Sequence, residues 1–403
     1  MDELRFASLF SGAGGLDIGF EQAGWACSYA SDIDSISVGT ILENRNLGSR
    51  YFADAFVEAA DIRDTRGREI LAKAGLRKGD LHALVGGPPC QSWSSAGHQR
   101  GFDDPRGKLF QDYVRVATEL DTRWLVFENV RGLLTARGTN GEPGSALDTI
   151  RHALLQAGFQ TEVNLLNAAD FGVAQRRVRL FMIGFRRGDR PSYPEATHSR
   201  DADLFSGEVR SWVSLQECLS AISPVRPDEI FRPSPKLAEQ LVDIPNGSGL
   251  KSPGKKESTR PGGHWGYKQG AFISDLALPA RTVTASAQQD WIRDSHLGLR
   301  RLCPRECAAI QSFPSDWCFS GNTAAQYRQI GNAVPVTLAK LVATALEEHV
   351  RAGFTFKRNA AARDRLAPLR PALTAAIEYT KRDEMRNGDS RKREQPKRRK
   401  STS

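Results

Sequence analysis

Four short clusters in this chain hold residue types that can do chemistry. Gly86-Gly87-Pro88-Pro89-Cys90-Gln91 closes on a cysteine, and its two prolines stiffen the backbone and fix where the sulfur points. A lone cysteine is ordinarily inert core. At the carboxyl end of a strand, near helix N-termini, a cysteine can have a lowered pKa and act as a nucleophile. Phe127-Glu128-Asn129-Val130 offers a carboxylate that can donate or accept a proton if burial keeps its pKa high, or can simply cap a loop. Gln175-Arg176-Arg177-Val178-Arg179 leads into an apolar strand, with Arg177 and Arg179 on one face by alternation. Two guanidinium groups there suit phosphate and carbonyl-oxygen recognition, and a solvated edge strand is the plainer alternative.

The fourth cluster, Phe10-Ser11-Gly12-Ala13-Gly14-Gly15, brings closely spaced glycines that let a backbone approach a ligand at a helix N-terminus. Asp32 follows about 20 positions later, where a carboxylate can accept ribose hydroxyls. Nicotinamide and flavin cofactors suit this pair as well as S-adenosylmethionine does.

These clusters sit at the ends of elements that alternate along the first half of the chain. Leu4 to Phe10 reads as a strand, followed by a helix from about Gly15 to Ala23 stopped by Gly24. Trp25 to Ala30 is a strand ending at Asp32, with a helix behind it through about Asn46. Leu81 to Val85 is a strand ending at the Gly-Gly-Pro-Pro run, Lys108 to Leu120 a helix, and Trp124 to Phe127 a strand ending at Glu128-Asn129. Ala146 to Ala157 is a helix; Phe159 to Leu166 and Val178 to Phe185 are strands. Strands separated by helices imply a mostly parallel α/β sheet covered on both faces, with ligands beyond the strands' carboxyl ends.

From about Arg186 to Leu278 proline, glycine and serine are frequent and periodicity is weak, which marks a smaller irregular domain. Order returns at Pro279-Ala280-Arg281-Thr282, with helices from Pro304 to Gln311 and from Pro335 to about Val350. The expected division is therefore 1–185, 186–278, 279–351, and an extension at 352–403 whose basic end reads as a disordered arm.

Bulk properties narrow the class. The 403 residues are 40% hydrophobic and 26% charged, ordinary for a soluble globular protein, and no run approaches the ~20 apolar residues of a membrane span. The N-terminus has no signal-peptide pattern, so the expected location is the cytoplasm. The six cysteines, Cys27, Cys90, Cys218, Cys303, Cys307 and Cys318, form no paired spacing for zinc, and no metal site is expected. Of the net charge of +9, Lys381 to Ser403 carries +6, from ten Lys/Arg against four Asp/Glu. That tail could add salt-sensitive DNA affinity or merely solubility.

Taken together and in this order, the four clusters resemble the DNA (cytosine-5) methyltransferase family of bacterial restriction-modification type. Asp61-Ile62, Asp104 to Phe110, Arg281-Thr282, Arg305-Glu306-Cys307, Gln311 to Pro314 and Gly331-Asn332-Ala333-Val334-Pro335 extend the likeness from about Leu4 to Val350. Two positions depart from the family pattern: Ser8, where many members have Asp, and Cys303, where a hydroxyl residue is common.

The resemblance implies a Rossmann-like S-adenosylmethionine-dependent sheet with a target-recognition domain. It implies that Cys90 attacks carbon 6 of a flipped-out cytosine, making carbon 5 nucleophilic. Glu128 then hydrogen-bonds N3 and the exocyclic amine, Arg179 contacts the carbonyl at position 2, and Arg177 holds Glu128, the DNA backbone or the catalytic loop. Phe10, Gly12, Gly14 and Gly15 surround the methionine and adenosine parts of the cofactor. Asp32 binds the ribose, Ile33 packs on adenine, Asp61 reads its amino group with Ile62 beside it, and Asn332 completes the pocket. Gln91 to Lys108, including Ser94 and Arg106, is the implied mobile loop over the base. Arg260, His264, Trp265, Tyr267, Lys268 and Gln269 suit contacts in a DNA groove. The implied partner is double-stranded DNA, with a restriction endonuclease acting on the same site, and the chain is expected to work as a monomer.

Other readings make different demands. One RNA cytosine-5 methyltransferase type needs a Thr-Cys pair where Glu128-Asn129 stands. A tRNA-modifying relative shares the Pro-Cys and Glu-Asn-Val motifs, but its Cys-Phe-Thr signature is absent from the variable region. Amino-group methyltransferases have an aromatic residue in place of Cys90. A DNA-binding module without catalysis would not need Cys90, Glu128 and Arg179 together.

Overall fold

The apolar run Leu4–Leu9 forms β1, which is buried on both faces: Phe6 packs on one side of the sheet and Ala7 on the other. The computed structural model describes residues 3–89, 109–138, 140–186, 190–202, 209–251, 253–254, 270–352 and 365–393, with backbone alone from 384. After β1 come α1 (Gly15–Gln22), β2 (Trp25–Asp32), α2 (Ser35–Asn46), β3 (Phe56–Ala59), α3 (Gly67–Lys73), β4 (Ala83–Gly86), α4 (Leu109–Leu120), β5 (Trp124–Val130), α5 (Ser145–Gln156), β6 (Gln160–Asn167) and β7 (Val178–Phe185). The seven strands lie in the order β3-β2-β1-β4-β5-β7-β6. The first five run parallel, and β7 is antiparallel to both neighbours. The sheet is thus mixed at the β7 side, a feature the apolar runs did not reveal.

Two apolar cores flank the sheet. One joins α1 residues Leu16, Ile18 and Phe20 to Val342 and Leu346; the other joins Ile70, Tyr113, Val116 and Leu147 from α3, α4 and α5. Helices on both faces leave the strands' carboxyl ends as the open edge, where Gly86-Gly87, Glu128-Asn129, the glycine turn and Asp32 all fall.

The second region is built of short pieces: β8 (His198–Ser199), β9 (Arg210–Ser211), α6 (Leu215–Ser220), α7 (Pro235–Leu241), and a four-stranded sheet of β10 (Ser248–Gly249), β11 (Phe272–Ile273), β12 (Trp291–Asp294) and β13 (Gly298–Arg301). Leu241, Ile244, Ile273 and Trp291 make its own small core. The boundary expected at 278 needs correction. The chain touches the large domain at Ala280, bonded to Ala174 and Arg176, and then leaves again to supply β12 and β13. The stretch 279–351 therefore serves both domains.

α8 (Pro304–Ile310), α9 (Thr323–Asn332) and α10 (Val336–Arg351) return to the first core. The extension also differs from expectation. Pro371–Arg393 is one helix, α11, rather than a disordered arm, because Leu373, Ala376 and Ile377 recur at helical spacing and pack on the second core. Residues 394–403 lie outside the described residues. Among the described residues no helix is long and apolar enough to cross a membrane, and no His/Cys/Asp/Glu group could hold a metal ion.

Candidate active site

Sheet register assembles the reactive edge. β5 and β7 pair antiparallel with Val130 opposite Arg179, so Glu128, two residues back on the same face, lies diagonally across from Arg179. Arg179 Nε sits 3.0 Å from Glu128 Oε1, and both side chains are largely buried. Burial pushes the Glu128 carboxyl above its ordinary range, while the charges of Arg179 and Arg177 pull it back without reversing the shift. β4 pairs parallel with β5, Gly86 against Phe127, which brings Gly87 beside Glu128. A Cβ on Gly87 would lie 2.9 Å from Glu128 Oε2, so only glycine leaves the carboxylate where it is. Asn129 donates its side-chain amide to the Pro88 carbonyl at 3.1 Å, tying the Pro88-Pro89 backbone to the strand that carries Glu128. Pro89 is described; Cys90, Gln91, Ser94 and Arg106 lie outside the described residues.

Arg177 requires a correction. Its guanidinium, 1% exposed, donates to the carbonyls of Val283 at 2.8 Å, Gly331 at 2.7 Å and Ala333 at 2.9 Å. So buried a cation cannot reach a DNA backbone. It acts on Glu128 through its charge, and it pins the 280s segment and the end of α9 to the start of β7. Beside it, Gln175 Nε2 donates to Gln311 Oε1 at 2.8 Å and Gln175 Oε1 accepts from Val283 N at 2.9 Å. Neither glutamine was singled out in the sequence as a site residue, since a buried amide ladder leaves no local periodicity.

The second half of the site is the glycine turn. Phe10 sits in the left-handed region at φ 59, a conformation costing a non-glycine residue ~1–3 kcal/mol, and its ring packs 6.4 Å from that of Tyr113. Gly12 and Gly14 also have positive φ. Gly12 N donates to Asp32 Oδ2 and Asp34 N to Asp32 Oδ1, both at 2.8 Å, so Asp32 holds the turn and keeps lone pairs for further donors. A Cβ on Gly15 would come 2.6 Å from Val334 O, showing that the segment after Asn332 returns onto this turn. Asn332 itself is exposed at the end of α9. Ile33 is 67% exposed beside Asp32, an apolar side chain open to a flat partner.

Asp61 and Ile62 are less open. The Asp61 carboxylate is engaged by the Arg63 guanidinium, which holds its pKa below the usual carboxylate range. Ile62, 6% exposed, is packed in the second core, so it supports the site from below rather than offering an open apolar face. The proposed groove residues Arg260, His264, Trp265 and Lys268, with Tyr267 and Gln269, lie outside the described residues.

A nucleoside-binding turn thus lies beside a buried Glu–Arg pair and a constrained Pro-Pro run, all on one sheet edge. Residues 4–348 match the family of C-5 cytosine-specific DNA methylases. This chain belongs to that family. The methylase is 32% identical over 378 residues to the Type II methyltransferase M.FnuDI of Fusobacterium nucleatum, covering 86% of this chain and 94% of that one. It is 31% identical over 361 residues to the Type II methyltransferase M.NgoPII of Neisseria gonorrhoeae, covering 86% and 96%. Among solved structures, an Entamoeba histolytica methyltransferase, EhMeth, superposes with a TM-score of 0.60 at 14% identity, covering 87% of this chain and 99% of that one. The S. pombe Dnmt2 methyltransferase gives 0.59 at 16%, covering 86% and 99%. At those identities the structures establish the fold alone.

Proposed function

We propose that the methylase modifies a cytosine extruded from a specific short duplex DNA sequence, using Cys90 as nucleophile, and that it protects host DNA within a Type II restriction-modification system. The observation that carries the residue assignment is the buried Glu128–Arg179 pair beside a Pro88 carbonyl held by Asn129. The sequence places the thiol one residue past the end of that constrained run.

Three features support S-adenosylmethionine as the donor. The glycine turn has no room for a side chain at Gly15, Asp32 has lone pairs left for ribose hydroxyls, and Ile33 presents an apolar face to a purine. Phe10, Gly12, Gly14, Gly15, Asp32, Ile33 and Asn332 would hold it, with Ile62 beneath, and Asp61 would reach the adenine amino group by releasing Arg63. Bound there, the cofactor supplies a methyl group on a sulfonium, an electrophile that carbon 5 attacks once activated.

The chain's own residues supply that activation. The Cys90 thiolate forms a bond to carbon 6, and the displaced electron pair moves toward carbon 5. Glu128, kept partly protonated by burial, hydrogen-bonds N3 and the amine, and Arg179 holds the carbonyl oxygen as charge builds on the ring. Loss of the carbon 5 proton then re-forms the double bond and expels the thiolate. The methylase is proposed to act as a monomer in the cytoplasm, with recognition in the small β10–β13 domain and its loop at 252–269. Bisulfite sequencing of DNA from a host expressing it tests this: protected cytosines in one sequence context support the reading, and fully converted DNA with soluble protein overturns it.

A further inference from the structure

The family match ends at residue 348, and the segment beyond it is docked in a definite direction. Gln160, at the start of β6, donates to Arg365 O at 3.3 Å. Arg151, midway along α5, bonds Ala367 O. Arg370 pairs with Glu162 at 3.0 Å and lies over the Tyr193 ring. Leu373, 4% exposed, enters the core that holds Leu133 and Leu134, and Ile377 sits on Gly144, where an added Cβ would be 3.1 Å from its Cγ2.

These contacts set a polarity. β6 runs parallel to β5, so Gln160 marks the amino edge of the sheet. Gly144 caps the start of α5, and Arg131–Thr135 follows the carboxyl end of β5; both mark the edge that carries Glu128. Residues 365–377 therefore climb from the closed edge to the reactive one. α11 then continues another 16 residues to Arg393, about 24 Å of helix at the usual rise. The basic run starts where the docking ends: Lys381, Arg382, Arg386, Arg391, Lys392 and Arg393, with Lys397 to Lys400 following in sequence.

We propose that this extension is a second DNA-binding element, docked through Arg370, Leu373 and Ile377 so that its basic end meets phosphates of the duplex outside the recognised sequence. It rests on the proposed reading that duplex DNA lies across the Glu128 edge. Lys and Arg that neutralise phosphates release counterions, so the element contributes affinity that falls steeply with salt and is indifferent to sequence.

The test uses the full chain and a labelled random-sequence duplex of about 30 base pairs, with binding followed by anisotropy across a salt series. In the variant, Arg391, Lys392, Arg393, Lys397, Arg398, Arg399 and Lys400 are each changed to Gln, which leaves the docked residues intact. The expected result is a loss of about 10-fold or more in affinity at low salt, with the log–log salt slope shallower by about 2–4, at ~0.9 for each phosphate no longer neutralised. An unchanged melting temperature shows that the variant is folded. Equal affinity and slope for variant and wild type would overturn the proposal. Methyl transfer by the wild-type chain is scored separately. An inactive wild type whose slope still depends on the tail defeats the reading of the site and leaves the tail's role standing.

Discussion

Arg179 and Glu128 face each other diagonally across an antiparallel strand pair, 3.0 Å apart and largely out of water, although both strand ends lie at the edge of the sheet. A surface ion pair of this kind contributes little. Here one partner's carboxyl is pushed up by burial and so is not a fixed anion. That suits a group that must bond a ring nitrogen while charge develops. Glu128→Gln is expected to lower single-turnover methyl transfer about 10²–10³-fold, the scale for losing one such stabilising group, with cofactor affinity within about 2-fold. Equal rates would separate Glu128 from the chemistry.

Gly87 leaves the room that Glu128 occupies. Gly87→Ala puts a methyl group 2.9 Å from Oε2 and must shift the carboxylate or the Pro88-Pro89 backbone. A rate loss of about 10²-fold is expected, since a displacement near 1 Å at a reacting group carries that penalty. The melting temperature should fall by only a few degrees. Asn129→Ala removes the bond to Pro88 O and should lower the rate in the same direction, whereas an unaffected Asn129→Ala enzyme would show that the Pro-Pro run needs no such tie.

A buried acid beneath the glycine turn predicts how stability varies with pH. Asp17 is fully enclosed, and neither carboxyl oxygen has a hydrogen-bond partner among the described residues; Ser8, which accepts from Ser11, faces it without closing a good bond. Burial raises its pKa from 3.8 to about 7. The native state thus keeps a proton that the unfolded chain loses near pH 4. Stability from this group is greatest below pH 4, falls as pH rises toward 7, and is flat above. Asp17→Asn should remove that slope. The gain is about 4 kcal/mol at most at pH 8 and vanishes near pH 4, as read by denaturant melts at the two values. A gain equal at both would contradict the assignment.

The small domain is fastened by charge. Arg300, buried on β13, is held by Asp294 at 2.8 Å and by Glu306 of α8 at 2.7 Å, and Glu306 also accepts from Cys303 N. Glu306→Ala leaves a buried guanidinium half-paired and should destabilise by about 3–5 kcal/mol, while replacing an exposed pair such as Lys381–Glu378 should shift stability by under about 1 kcal/mol. A small effect at Glu306 would mean that water reaches Arg300.

Strand ends were legible because each apolar run stops at a cluster of unusual composition; Val178–Phe185 is the plainest case. β3 was not, because an edge strand of four half-exposed residues carries no apolar run. α9 was hidden by its glutamines, which bury amides instead of aliphatic side chains, as Gln329 does toward Thr40. Arg177 was recognisable as important and misjudged in its contacts, because its acceptors are carbonyls more than 100 residues away in the chain. The same distance hid the doubling back of 280–301 between the two domains.

The central claim is a covalent bond from the Cys90 sulfur to the target ring, and trapping tests it most directly. Fluorine at carbon 5 cannot leave as a proton does, so a duplex carrying 5-fluorocytosine at the methylated position should stop the reaction after methyl transfer. The expected product is a denaturation-resistant protein–DNA adduct that forms only with S-adenosylmethionine present and maps to the peptide containing Cys90. An enzyme that methylates ordinary DNA yet gives no adduct, or gives one at another residue, would contradict it.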